Sequence, residues 1–152
     1  MSLTDNERTT VVRREMEKAR NTFSDMELCA KEERWEAAAN RLYYALFHAV
    51  TALLVSDGHL LTSHRGMMSL FGQHYVRTAI FSRAEGSLLS DLVIMRDNAD
   101  YNCFFEADED KIAPMIKPTQ QLIERIKEYI ENHHHSLLPI KINKQETDST
   151  EE

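Results

Sequence analysis

The stretch from Ala37 to Gly58, AAANRLYYALFHAVTALLVSDG, constrains the fold more than any other. Leu42, Leu46, Val50 and Leu53 recur at helical spacing, with Tyr43, Phe47 and Leu54 beside them. The opposite side carries Ala38, Ala45, Ala52 and Val55. A helix apolar nearly all round has to be covered on nearly all sides, which makes it the central rod of a helical bundle. Three residues interrupt the pattern. Arg41, Tyr44 and His48, at i, i+3 and i+7, share one face.

The rest of the chain supplies helices to cover that rod. In front of it, Val12, Met16, Ala19, Phe23, Met26 and Ala30 are spaced 4-3-4-3-4, a narrow seam on a helix capped by Asp5 or Asn6 and ending near Glu32. The seam fits either a helix flanking the bundle or a dimer contact. After Gly58, Thr62 or Ser63 can cap a short helix through Met67, Met68, Leu70 and Phe71, weakened by Gly66 and Gly72. A stronger helix is expected over Ser82 to Asn102, with Leu88, Leu89, Leu92, Val93 and Ala99 inward. Asp108 suits the cap of a last helix bearing Ile112, Met115, Ile116, Leu122, Ile123, Ile126, Tyr129 and Ile130. Pro114 is tolerated in its first turn, whereas Pro118 is expected to bend or restart it. Residues 1–132 read as one helical domain and 133–152 as a polar tail. Four glycines and three prolines in 152 residues suit helices joined by short loops. No alternating run of Val, Ile and Thr calls for a sheet.

Several functions are excluded or disfavoured. No apolar segment reaches the roughly 18 residues of a membrane span. The start, MSLTDNERTT, lacks the apolar core of a signal peptide, so a cytoplasmic protein with Cys29 and Cys103 reduced is expected. The net charge of −7 sits mainly after residue 105. It disfavours indiscriminate nucleic-acid binding, which needs basic surface, and leaves room for a local basic cleft in the middle third. Phosphate-cradling glycine loops, serine nucleophile elbows and zinc-protease motifs are missing. A single Glu131-x-x-His134 falls short of a di-iron bundle, which needs two such motifs and two further carboxylates, and His59, His64 and His74 have no ligand spacing. Neither a metal nor a cofactor is expected.

What remains is a polar set from two helices: Arg41, Tyr44 and His48 on one, Arg96, Asp97, Asp100 and Tyr101 on the other. A charged side chain on an apolar stripe costs several kcal/mol unless paired or solvated. Arg96 therefore belongs either to a structural ion pair with Asp100, one turn on, or to a wet cleft. The residue types fit RNA chemistry. Arginine forks hold phosphate, a histidine moves protons near neutral pH, and a tyrosine stacks on a base.

At these residues the chain resembles the small bacterial and archaeal HEPN-domain proteins. The resemblance rests on Arg41-Leu42-Tyr43-Tyr44-Ala45-Leu46-Phe47-His48-Ala49, on Thr62-Ser63-His64, and on Arg96-Asp97-Asn98-Ala99-Asp100-Tyr101, and it covers about residues 10–132. It implies an all-α, up-and-down bundle of four to five helices that forms a homodimer with a cleft between protomers. It also implies RNA cleavage or RNA binding in toxin–antitoxin, defence or stress systems, in many cases beside a small nucleotidyltransferase. Cleaving members carry an arginine, a polar residue, a few variable residues and a histidine. Arg96 and Asp97 match the first two positions, and no histidine occurs among residues 98–102. Two expectations follow. Either Arg96, Asp100, Tyr101 and His48 carry metal-independent cleavage, with Arg41, Tyr44, Asp97 and His64 binding RNA or a nucleotide, or the cleft is a non-catalytic interaction module.

Overall fold

The computed structural model describes residues 3–59 and 63–138. It contains five helices, α1 (Asp5–Lys31), α2 (Trp35–Ser56), α3 (His64–Phe71), α4 (Arg83–Tyr101) and α5 (Glu109–His133). A π-helical turn, Gly72–Val76, continues α3. No strand occurs among the described residues. None of the helices there is long and apolar enough to cross a membrane.

The expected all-α bundle is observed, with α2 at its centre and touching each of the other helices. The α1 seam of Val12, Ala19, Phe23 and Met26 is buried against the core, so it faces the bundle. The α5 stripe is likewise buried at Ile112, Leu122, Ile123, Ile126 and Ile130. Burying each such side chain contributes about 1.5–3 kcal/mol, so the packed stripes dominate the fold's stability.

Four local details correct, narrow or add to the sequence expectation. The cap of α1 is Thr4, in place of Asp5 or Asn6: its hydroxyl accepts from Glu7 N–H while the Glu7 carboxylate accepts from Thr4 N–H. A reciprocal box satisfies two backbone donors where a lone Asp would satisfy one. Ser63 caps α3, whereas Thr62 lies outside the described residues. Third, α5 runs through Pro118 without restarting. A helix-interior proline costs about 3 kcal/mol, which the buried isoleucine stripe on both sides of it outweighs. Finally, Glu33 adopts φ +56° in the tight α1–α2 turn, a left-handed position usually given to glycine. Gly58, with φ +86°, ends α2 as expected.

Past α5 the chain folds back. Leu137 is buried, its carbonyl accepts from Arg13 Nε at 3.0 Å, and His134 reaches the end of α2. There Asp57 joins three elements. Its Oδ2 accepts from the hydroxyls of Tyr75 (2.6 Å) and Tyr129 (2.9 Å), and Oδ1 lies 2.6 Å from His134 Nε2. Burial alone would raise the Asp57 carboxyl; the bonds from Tyr75, His134 and Tyr129 outweigh it and hold it below the ordinary range. Burial and the Asp57 carboxylate in turn push the Tyr129 phenol up to about 12.

Candidate functional site

The central helix is less evenly covered than its composition suggests. Between Ala38 and Val55 every residue is buried except Asn40, Arg41, Tyr44, Phe47, His48 and Thr51, which are half-buried. These six follow helical spacing and form one open stripe. Its wall on one side is α4, which runs antiparallel to α2 and brings Arg96, Asp97, Asp100 and Tyr101 to the level of Asn40 and Tyr44. On the other side stands α1, and the first turn of α3 closes over Phe47.

Arg96 is held on every side. Nη2 donates to Tyr44 Oη (3.0 Å) and Nη1 to Asp97 Oδ1 (3.1 Å). Nε lies 3.0 Å from Asp100 Oδ2, an ion-pair distance, but its N–H is not directed at that oxygen and makes no hydrogen bond. Asp100 Oδ2 instead accepts from Asn40 Nδ2 at 2.9 Å. The guanidinium carbon stands 5.4 Å from the ring centres of both Tyr44 and Tyr101, and 5.9 Å from that of Tyr43. Burial alone would lower the pKa of Arg96; Tyr44, Asp97, Tyr101 and Asp100 outweigh it and raise it further. The two readings of Arg96 are therefore combined in one residue. It has the structural ion pair, and its side chain keeps 20% exposure.

Arg41 is placed differently. Its Nε (3.1 Å) and Nη2 (2.7 Å) donate to the neutral amide oxygen of Asn40, and among the described residues it has no carboxylate partner. It stands 5.4 Å from the Tyr44 ring centre, so two guanidinium groups lie within 5.4 Å of that point. That distance and geometry fit cation–π contact. Tyr101 is exposed, and the Asp97 side chain is 56% exposed.

His48 lies further along the stripe, and His64 stands beside it at the start of α3. His48 turns toward α1, and its Nδ1 lies 2.6 Å from Glu15 Oε2. Burial alone would raise the Glu15 carboxyl; the hydrogen bond and charge of His48, with Lys18, hold it low. His64 stacks on Phe47 at 4.4 Å, and its Nδ1 lies 2.7 Å from Tyr43 Oη. Burial pushes the Tyr43 phenol up to about 12, so Tyr43 remains a neutral phenol at physiological pH. Tyr43, which as a sequence reads as packing, is buried and also holds a polar ring of the site.

The structure thus brings Arg41, Tyr44, Arg96, Asp97, Asp100 and Tyr101 into one cluster, with His48 and His64 beside it. Asn40 and Glu15 are additional members that the sequence does not single out. Among the described residues no group of three or more His, Cys, Asp or Glu is arranged to hold a metal ion.

A family model described as the HEPN domain matches residues 12–129. A UPF0332 protein of Thermotoga maritima is 29% identical over 127 residues, which span 84% of this chain and 96% of that one. A candidate toxin of Methanocaldococcus jannaschii is 25% identical over 112 residues, 74% of this chain and 83% of its own length. A second candidate toxin of that organism is 23% identical over 115 residues, 76% and 78% of the two chains.

Proposed function

The chain belongs to the HEPN domain family, and on that footing we propose that it binds RNA along the open stripe of α2. The phosphodiester lies between Arg41 and Arg96, in the toxin-like role that the names of its two archaeal relatives suggest. The observation that carries this reading is the pair of guanidinium groups within 5.4 Å of the Tyr44 ring centre, one of them with no carboxylate partner among the described residues. Arginine presents five N–H donors, and neither fork is fully used within the chain, so both retain donors for phosphate oxygens. Exposed Tyr101 provides a face for a base. Asp97 and Asp100 do not bind phosphate; they orient Arg96 and limit its net charge, which works against indiscriminate binding. A homodimer, with a second copy of the stripe across the cleft, and a toxin–antitoxin setting belong to the same proposal.

A second reading has a specific observation behind it. Arg96 is flanked by two carboxylates of its own chain, as expected of a non-catalytic module that partners a small nucleotidyltransferase. Binding of short fluorescent single-stranded RNA separates the two. The RNA reading predicts that Arg41→Ala weakens binding about tenfold or more with little loss of stability. It also predicts that Asp97→Asn, which removes a half-exposed negative charge, strengthens binding severalfold at low salt. Affinity that ignores both changes favours the module.

A further inference from the structure

Two imidazoles, half-buried His48 of the stripe and exposed His64 at the start of α3, flank the same ring. Their centres lie 5.4 and 4.4 Å from that of Phe47, and 6.5 and 6.0 Å from that of Tyr44. Each has its Nδ1 anchored from outside the stripe, His48 by Glu15 of α1 and His64 by Tyr43. The anchors differ in kind. A carboxylate only accepts, so neutral His48 carries its hydrogen on Nδ1 and offers the lone pair of Nε2 as a base. Tyr43 is a neutral phenol that can accept from Nδ1–H of a protonated His64, which then presents Nε2–H as an acid. Neither Nε2 has a hydrogen-bond partner among the described residues. The titratable groups against these rings are Glu15 from α1, with Lys18 beside it, and Tyr43 and Tyr44 from α2; Arg96 from α4 stands against the two tyrosine rings.

Resting on the RNA reading above, we infer that His48 and His64 are the proton-transfer pair of the site, with Glu15 and Tyr43 as their positioning residues. The 2′-oxygen of the bound RNA attacks phosphorus, and its proton passes to Nε2 of His48. The P–O5′ bond breaks, and O5′ takes a proton from Nε2 of protonated His64. The products are a 2′,3′-cyclic phosphate and a 5′-hydroxyl. The phosphate carries one negative charge before and after the step, the added charge of the five-coordinate transition state faces Arg41 and Arg96, and exchange with water restores both imidazoles. The pair does the work for which the resemblance expects a histidine shortly after Arg96.

The test uses the full chain, a short labelled single-stranded RNA and excess chelator. Wild-type protein is expected to leave 2′,3′-cyclic ends with a bell-shaped pH–rate profile. His48→Asn and His64→Asn should each lower the rate about a hundredfold or more. The residual activity should lose its acid limb in His48→Asn and its alkaline limb in His64→Asn. Glu15→Ala should cost about tenfold, and Glu15→Gln, which still accepts from Nδ1–H, should restore most of it. Nitrogen NMR of the wild-type protein gives a readout independent of any variant's folding: neutral His48 should be the Nδ1–H tautomer. The opposite tautomer, both limbs surviving in either Asn variant, or Glu15→Gln as damaging as Glu15→Ala would overturn the pairing. RNA that is bound and not cut would overturn it while leaving the binding site intact. RNA that is not bound removes both.

Discussion

Asp57→Ala is expected to lower the folding free energy by about 3 kcal/mol, equivalent to roughly 6–12 °C in Tm for a domain of this size. The estimate counts the partners left behind. Tyr75 is buried, Tyr129 and His134 are partly buried, and each loses a charge-assisted bond of 2.6–2.9 Å. The π-turn, α5 and the returning segment 134–138 are all fastened at this one carboxylate. The pH dependence follows with a definite sign. The carboxyl of Asp57 is held lower in the folded chain than in the unfolded one, so its contribution is complete above the ordinary carboxylate value of about 4. It is lost as pH falls through the folded value. Thermal melts between about pH 7 and pH 3 check this: the Asp57→Ala protein should lose less stability on acidification than the wild type. Parallel curves for the two proteins would mean that the network does not contribute as described.

Arg96→Ala should have the largest effect on function, abolishing measurable RNA binding and lowering stability by about 1–3 kcal/mol. The stability term comes from Asp100, which is left with Asn40 as its donor, and from Tyr44, whose hydroxyl loses its partner. Arg96→Lys should recover part of the stability and little of the binding. An ammonium group can neutralise the carboxylates but cannot reach Tyr44, Asp97 and a phosphate at once from a planar fork. Melting curves and binding isotherms on the two variants check both halves. Arg96→Lys protein that binds RNA like the wild type would reduce Arg96 to a point charge.

Most of the helical architecture can be read from residue spacing because it depends on which side chains are apolar and on little else. The seams at Val12 to Ala30 and Ile112 to Ile130 are period patterns, and burial follows from them. The finer departures depend on competition between local and tertiary terms. Pro118 breaks a helix in isolation, but here it is flanked by a stripe already committed to α2. The box formed by Thr4 and Glu7 is written in the sequence as Thr-x-x-Glu, but competes there with Asp5 and Asn6 as single-residue caps. Glu33 and Ala79, both at positive φ, leave no trace in a pattern of apolar residues because turn closure alone imposes their conformation.

The candidate site divides along the same line. Arg41, Tyr44 and His48 share a face by arithmetic within one helix, and Arg96, Asp97, Asp100 and Tyr101 cluster on the next long one. Their union required only that α2 and α4 pack side by side. Glu15 could not be found that way. Its contact with His48 depends on the rotation of α1 about its own axis, which the 4-3 seam leaves loose by a residue. The Asp57 network draws on positions 57, 75, 129 and 134, spread over three elements and the segment after α5, and no spacing rule connects them.

The most direct measurement of the central claim is a side-chain NMR titration of the wild-type protein with short single-stranded RNA, following arginine Nε–H signals and backbone amides. The account predicts that Arg41 and Arg96 shift together with the amides of residues 40–51 and 96–101. Shifts confined to the groove between α1 and α5, lined by Arg13, Arg20 and Lys127, with Arg41 and Arg96 unmoved, would contradict it.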